Sequence, residues 1–214
     1  MSRPLAVVVI GSGPHVDPWH DLDATGAAVG ALLADTCSVA VTATDELAGV
    51  DRADLVVVNA GGDRDSPPAD SRAVVGALLA AHASGTPLLA LHSSAIAFRD
   101  DPRWADLLGG RWVPEVSGHP PIGDANVRVR ADAPFGEPGD VQLFDERYTS
   151  LERRAGTLLV AEHDESGTAH PLVWARDPAR GGRVVYSALG HDVRSHESAG
   201  HRRLIADAVA WLLA

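Results

Sequence analysis

The sequence contains no lysine, and all 18 of its basic residues are arginines. Enzymes that form a Schiff base need a lysine amine, and P-loop proteins need a lysine to hold nucleotide phosphates. Both classes are therefore excluded. The 29 acidic residues outnumber the arginines and give a formal charge of -11, and the sequence contains no basic run that could form a local positive patch. Because such a surface repels phosphate backbones and anionic lipids, we expect neither a nucleic-acid partner nor a membrane partner.

Cysteine and long apolar runs are also scarce. The one cysteine, Cys37, has no partner for an internal disulfide. The first residues, MSRPLAVVVIGSG, hold too short an apolar stretch for a signal peptide, and no apolar run approaches the roughly 20 residues that cross a bilayer. We therefore expect a cytoplasmic protein. Its oligomeric state stays open, and a homo-oligomer is compatible with the sequence.

What the sequence does contain is an alternation of buried strands and helices, in a chain of 214 residues that suffices for one domain over residues 1–214. Strands are predicted over Leu5–Ile10, 38–42, Leu55–Asn59 and Leu88–Leu91, and helices over 23–34, 67–82 with Ser66 as N-cap, and 198–213. Each strand ends in glycine or polar residues. This order predicts an α/β fold with a doubly wound, mostly parallel sheet and helices on both faces.

The second half of the chain is less regular. Strands are predicted over residues 127–130, 157–162, 172–175 and 183–187, and the last two are joined by RDPARGG. These strands predict an antiparallel extension of the sheet.

Ligands of doubly wound sheets bind at the carboxyl ends of the strands. After the first strand, GSGPHV begins like a dinucleotide-binding fingerprint, but Val16 stands in place of the third glycine and Pro14 disrupts the helix start. What remains is a loop with His15, Asp17 and His20. It fits the wall of a site and a solvated loop equally well.

The stretch PLLALHSSAIAF indicates a sharp turn from a strand into a helix, where many α/β enzymes carry a nucleophile. Such a turn needs small residues two before and two after its apex. Ala90 and Ser94 meet this requirement around His92, whereas Leu91 crowds the turn if Ser93 is the apex. We therefore place His92 at the apex with the backbone N–H of Ser93 at the helix start. Histidine there suits proton transfer or metal binding better than acyl transfer.

The remaining histidines fall into two groups. His119 and His191 each follow a glycine beside predicted loops or strand ends, and with His92 and either Glu146 or Asp192 they are candidates for a divalent metal site. No short metal-binding spacing supports that site. The others lie among charged or small residues and are expected at the surface: His82, His163, His170, His196 and His201.

Five stretches together resemble the ThuA-like proteins of the trehalose-utilisation family, within the class I glutamine amidotransferase-like fold: LLALHSSAIAF, WADLLGGRW, SGHPP, FDERY and HPLVWARDPARGGRVVYSALGHD. The resemblance covers nearly the whole chain, and it implies a flavodoxin-like α/β sandwich. Members of that family are associated with disaccharide uptake and breakdown, in some cases through 3-keto sugars. True glutamine amidotransferases carry a cysteine at the turn where this sequence has His92, so we expect no glutaminase activity.

Two functions stay open. The first is an enzyme of carbohydrate metabolism that acts on a small-molecule sugar, as a keto-sugar isomerase, lyase or hydrolase. The second is a non-catalytic amidotransferase-like protein that binds a ligand or another subunit. The aromatic residues Trp112, Tyr148 and Tyr186 suit sugar binding or core packing. The predicted catalytic residues are His92, Ser93, Glu146 and His191, the substrate-binding residues are His15, His20, His119, Tyr148 and Asp192, and the candidate ligands of a divalent metal such as zinc are His92, His119 and His191.

Overall fold

A computed structural model describes residues 2–63, 65–66 and 70–214. The strands are β1 (Leu5–Ile10), β2 (Ser38–Ala43), β3 (Leu55–Asn59), β4 (Leu88–Leu91), β5 (Gly110–Arg111), β6 (Gly123–Val129), β7 (Gly139–Asp145), β8 (Glu152–Arg153), β9 (Leu158–Glu165), β10 (Thr168–Arg176) and β11 (Val184–Ser187). The α-helices are α1 (Leu22–Leu33), α2 (Arg72–Ala83), α3 (Ser94–Ala97), α4 (Pro102–Leu108) and α5 (Ala199–Leu212), and short 3₁₀ helices cover Gly13–His15, Val50–Arg52 and Val193–Glu197.

Nine of the strands form one mixed sheet in the order β2-β1-β3-β4-β11-β10-β9-β6-β7. The first five are parallel. From β11 onward each neighbour is antiparallel to the last, so β7 runs in the same direction as β4 and β11. The carboxyl ends of β1, β4, β11 and β7 therefore lie at the same edge of the sheet.

The helices cover the parallel part of the sheet. Helix α1 contacts α5, and α2 contacts α4. The order of the strands reverses between β1 and β3. Because the crossovers on both sides of this reversal are right-handed, successive helices lie on opposite faces of the sheet. The fold is thus of the flavodoxin-like α/β class, as the sequence predicted.

The core follows from the continuous runs of apolar residues in the parallel strands. Every residue of β3 and of β4 is buried, because both faces of these strands are covered. At the join with the antiparallel part, the rings of Trp174 and Tyr186 pack 4.5 Å apart, and the indole N–H of Trp174 donates to the carbonyl of Leu108 over 2.8 Å. Among the described residues, no helix is both long enough and apolar enough to span a bilayer.

Several boundaries differ from the prediction. Strands β1, β3 and β4 have the predicted bounds, and the antiparallel extension is present. Helix α2 starts at Arg72 with Ser71 before it, so the predicted N-cap at Ser66 was wrong; Pro67 lies outside the described residues. Strand β7 was not predicted, because it is an edge strand with Gly139, Asp140 and Gln142 on its exposed positions.

Three histidines predicted at the surface are buried. His163, His196 and His201 are 2%, 9% and 0% exposed, whereas His82 and His170 are partly exposed. His201 lies on the inward face of α5, and its Nδ1–H donates to the carbonyl of Ser195 over 3.0 Å. His163 Nε2–H donates to the carbonyl of Tyr148 over 2.9 Å. Each of these histidines lies on an inward face together with apolar residues. The prediction placed them at the surface because their immediate neighbours in sequence are small or charged.

The burial of His196 predicts that the protein loses stability in mild acid. Burial lowers the pKa of His196 to about 4, while an unfolded histidine titrates near 6.5. The folded chain then binds fewer protons than the unfolded chain, so this contribution is complete above about pH 6.5 and is lost as the pH falls towards 4. We expect His196→Phe to remove up to about 3 kcal/mol of the pH dependence of the unfolding free energy.

Urea denaturation between pH 4 and 7, with chelator present, measures this effect. The control is Ile205→Val on α5, which deletes a buried methylene and costs about 1 kcal/mol at every pH without changing the slope. Equal pH slopes in His196→Phe and the unsubstituted protein contradict the prediction.

Candidate functional site

A cavity of about 240 Å³ lies at the carboxyl edge of the parallel strands. Its walls come from the loops after β1, β3, β4 and β11 and from the segments that follow β5 and β7. The lining residues are Asp17, Trp19, His20, Gly62, Ser93, Ile96, Trp112, His119, Glu146, Tyr148 and His191. A cavity of this size, lined by both aromatic and polar side chains, suits a small-molecule ligand.

The turn after β4 has the predicted shape. His92 has a φ of 41°, in the left-handed region that costs a non-glycine residue roughly 1–2 kcal/mol. Its N–H donates to the carbonyl of Ser187 over 2.6 Å, and its carbonyl accepts from the hydroxyl of Tyr186 over 2.9 Å. The small neighbours Ala90 and Ser94 are both fully buried. These contacts hold the strained turn and bring the imidazole against His20, Glu146 and Tyr148, which line the cavity.

Ser93 lines the cavity, but its hydroxyl is not arranged as a nucleophile. Its Oγ donates to the carbonyl of Ala60 over 3.0 Å. An activated serine requires a base within hydrogen-bond distance, and here the hydroxyl proton is directed to the backbone beyond β3 instead.

In the loop after β1, hydrogen bonds to Asp17 position His20 at the cavity. One oxygen of Asp17 accepts from the backbone N–H groups of Trp19 and His20, both over 3.0 Å, and from Nδ1–H of His20 over 2.6 Å. Burial opposes ionisation of Asp17, but the hydrogen bond and charge of His20, together with the two backbone N–H bonds, outweigh it and lower the pKa of this carboxyl. The ionised carboxylate fixes the tautomer of His20, so Nε2 carries no hydrogen in the neutral ring.

His92 is held in the same tautomer by a different acceptor. Its Nδ1–H donates to the carbonyl of Ala188 over 2.7 Å. The Nε2 of His92 therefore carries a lone pair in the neutral ring, and it lies 3.0 Å from Nε2 of His20. In the neutral rings two lone pairs face each other across this distance, and a cation or an additional proton between them would stabilise the arrangement.

Glu146 lies against three imidazoles. Its Oε2 is 3.5 Å from Nε2 of His92 and 3.4 Å from Nδ1 of His191, and its Oε1 is 3.4 Å from Nδ1 of His119. Burial opposes ionisation of Glu146, but the neighbouring His191 and His92 outweigh it and hold its pKa well below the usual range. A carboxylate so stabilised is a weak base and a good ligand for a cation.

His20 and His191 differ in the direction of their pKa shifts. Burial lowers the pKa of His20 despite its bond to Asp17. Burial also opposes protonation of His191, but Glu146 outweighs it, and the pKa of His191 is raised. Burial raises the pKa of Tyr148 well above its usual value, so this hydroxyl keeps its proton.

Asp145 ties the end of β7 to the loop after β11. Its carboxylate is fully buried, and it accepts from the N–H groups of Glu146, Gly190 and His191 over 2.8, 2.8 and 3.1 Å. The hydroxyl of Ser195 donates to it over 2.5 Å. These bonds compensate the cost of burying the charge and set Glu146 beside His191.

Four side chains together have the composition and spacing of a metal site. His20, His92, Glu146 and His191 each offer one ligand atom, and all four atoms lie within 4.8 Å of one another. Ligands at zinc–ligand distances of about 2.0–2.2 Å lie roughly 3.3–3.6 Å apart in a tetrahedron, close to the separations of Glu146 from His92 and His191. Metal-binding histidines donate their other ring N–H to an oxygen, as His20 and His92 do here.

The sequence matches the family model described as trehalose utilisation, ThuA, over residues 7–212. The chain belongs to the ThuA family. Among curated proteins, none matches this ThuA-family chain in sequence.

Solved structures share the fold at low sequence identity. A ThuA-like protein from Parabacteroides merdae ATCC 43184 is 15% identical, with a TM-score of 0.79 over 100% of this chain and 91% of that one. A ThuA-like protein from Bacteroides uniformis ATCC 8492 is 13% identical, with a TM-score of 0.68 over 99% and 91%. The β-galactosidase of Rahnella sp. R3 is 17% identical, with a TM-score of 0.66 over 98% of this chain but 31% of its own.

The structure brings most of the predicted site residues together, though not all. His20, His92, Glu146 and His191 meet, and Ser93, Tyr148, Trp112 and His119 line the same cavity. His20 takes the place in the four-donor group that the sequence prediction gave to His119. Four predicted residues are not among the side chains that line the cavity. His92 is 2% exposed and lies behind the lining residues His20, Glu146 and Tyr148. His15 is buried against Phe98, Asp192 accepts from the N–H of Arg194 at a 3₁₀ helix, and Tyr186 is fully buried beneath His92.

Sequence reasoning missed Asp145 as the residue that positions this site. The segment GDVQLFD contained a signal. Val141, Leu143 and Asp145 occupy every second position of this strand, so their side chains point to the same inward face. An acidic residue in the apolar phase of a strand, followed directly by Glu146, marks a buried carboxylate.

Gly61 is required by the position of Asp17. A Cβ at residue 61 would lie 2.1 Å from Oδ2 of Asp17, whereas one at Gly76 in α2 would meet nothing within 4 Å. We expect Gly61→Ala to lower the unfolding free energy by about 1–3 kcal/mol through overpacking, and the control Gly76→Ala to raise it by up to about 1 kcal/mol. Chemical denaturation measures both, and equal stability of Gly61→Ala and the unsubstituted protein contradicts the prediction.

Proposed function

We propose that this ThuA-family chain is a metal-dependent enzyme of carbohydrate metabolism that acts next to the carbonyl group of a keto sugar. The proposal includes a cytoplasmic location and a free small-molecule sugar as the partner. Isomerisation and eliminative cleavage both begin with loss of the proton beside the carbonyl, so neither needs the strong nucleophile that the turn at His92 lacks.

One observation carries the proposal: three imidazoles and one carboxylate converge within 4.8 Å of one another, and His20, Glu146 and His191 of this group line the cavity. Two of the imidazoles, His20 and His92, are fixed as Nδ1–H donors to oxygen and turn their bare Nε2 atoms towards each other. Two lone pairs 3.0 Å apart repel each other, and a cavity that needed only polar walls would not require this arrangement. A divalent cation held by both rings removes the repulsion.

The donor set of three nitrogens and one oxygen suits zinc and other first-row divalent ions better than magnesium or calcium. A divalent ion held by these four donors would supply Lewis-acid polarisation of a carbonyl oxygen if it accepted that oxygen as a fifth ligand. Asp17 and the carbonyl of Ala188 would hold the rings of His20 and His92 in the binding orientation. Asp145 would hold Glu146 and His191 in place through their backbone N–H groups.

The remaining lining residues suit substrate binding and proton transfer. Nδ1–H of His119 donates to the carbonyl of Pro120 over 3.0 Å, which leaves its Nε2 free to accept a proton. Trp112 and Trp19 supply aromatic walls on which the C–H face of a sugar packs. We therefore assign His119 as the proton acceptor and the two tryptophans as the sugar platform.

The protein is expected to bind one divalent ion per chain. At a free metal concentration of 100 times Kd, binding raises the unfolding free energy by about 2.7 kcal/mol. Titration calorimetry of chelator-treated protein with Zn²⁺, Mn²⁺ and Co²⁺ measures the stoichiometry. Glu146→Gln is expected to abolish tight binding, whereas the control Glu162→Gln, on β9 outside the cavity, retains it. Absence of binding by the unsubstituted protein contradicts the proposed function.

Activity is tested with 3-keto disaccharides and metal-loaded protein. We expect conversion that chelator abolishes, and a fall in kcat of about 10²–10⁴ in His119→Gln through loss of the proton acceptor. The control His170→Gln removes an imidazole that does not line the cavity and keeps full activity. Product analysis distinguishes an isomer from cleaved sugars.

Two outcomes contradict this reaction. If the protein converts no keto disaccharide, with or without metals, the proposed enzyme activity is wrong. Sugar binding without conversion, unaffected by His92→Ala, supports instead a non-catalytic protein that retained the cavity as a binding site.

A further inference from the structure

The hydroxyl of Tyr148 has an unusual partner. It lies 3.0 Å from Nε2 of His92, the same atom that faces His20. The side chain is 4% exposed, and its ring packs 4.9 Å from Trp112 and 5.8 Å from His119. The ring is therefore fixed, and the direction of the O–H bond is the freedom that remains.

Nε2 of His92 can satisfy one partner only. Because Nδ1–H is committed to the carbonyl of Ala188, the neutral ring offers one lone pair, which lies in the ring plane at Nε2. In the metal-free protein the phenol O–H of Tyr148 donates to that lone pair. A metal ion bound by His92 uses the same lone pair.

Resting on the proposed metal centre, we propose that metal binding at His92 releases the Tyr148 hydroxyl, which then turns its O–H into the cavity and donates to an oxygen of the bound sugar. The exchange is local, because Tyr148 lines the cavity beside Glu146 and His191.

A Tyr148 hydroxyl that metal binding releases can be distinguished from one that only supports the metal ligands. A hydroxyl that supports the metal ligands would strengthen metal binding, and its removal would weaken it. A hydroxyl that competes for the lone pair weakens metal binding, and its removal strengthens it. The two roles predict opposite signs for the same substitution.

The test uses two matched variants, Tyr148→Phe and Tyr186→Phe. Each removes one hydroxyl that is hydrogen-bonded to His92, Tyr148 at the ring and Tyr186 at the backbone carbonyl. By titration calorimetry we expect Tyr148→Phe to bind Zn²⁺ about three- to tenfold more tightly than the unsubstituted protein, as loss of one competing neutral hydrogen bond predicts. Tyr186→Phe should not bind more tightly. With keto disaccharide, kcat of Tyr148→Phe should fall at least tenfold.

The outcomes separate this inference from the proposed function. If the unsubstituted protein binds no divalent metal, the metal centre is wrong and the inference falls with it. If it binds metal while Tyr148→Phe binds equally or more weakly, the metal centre stands and the release of Tyr148 is overturned. Tighter binding with unchanged kcat overturns the donation to substrate.

A measurement on the unsubstituted side chains covers the case in which Tyr148→Phe does not fold. The chain has two tyrosines, so protein labelled with 3-fluorotyrosine gives two ¹⁹F resonances, and Tyr186→Phe assigns them. We expect Zn²⁺ to shift the resonance of Tyr148 and to leave that of Tyr186 nearly unchanged. A Tyr148 resonance that does not respond to bound metal overturns the inference.

Discussion

The buried carboxylate of Asp145 is the interaction on which the site depends. It joins the end of an edge strand of the antiparallel part to the loop after the last parallel strand. No cation is among its hydrogen-bond partners in the described part of the chain, so backbone N–H groups and one serine hydroxyl stabilise the charge. Because these donors belong to Glu146 and His191 themselves, satisfying one buried charge also places two of the converging donors.

The turn after β4 shows how one backbone shape serves different chemistry. Small flanking residues and a left-handed backbone angle present a side chain above the sheet, as in enzymes with a nucleophile there. With His92 in that position, the same turn supplies a nitrogen ligand in a fixed tautomer. The fold was therefore a guide to where the site lies, and the residue at the apex was the guide to its chemistry.

Most of the parallel sheet was predictable because strands covered on both faces need unbroken apolar runs, such as AVVV in β1 and LVVV in β3. The edge strand β7 was not, since its exposed positions are polar. Burial of His163, His196 and His201 was also missed. A histidine satisfied by a backbone carbonyl, as His201 is by Ser195, leaves no pattern in the neighbouring residues.

The sequence by itself determined the class of fold, the turn at His92 and most of the side chains at the strand ends, because these depend on local periodicity and on residue size. Only the tertiary structure decided which of them meet. His20 and His92 are 72 residues apart, and Glu146 and His191 follow β7 and β11, which are separated by three strands of the sheet. Their convergence depends on sheet order and on the bonds of Asp17 and Asp145, which set distances that sequence spacing does not encode.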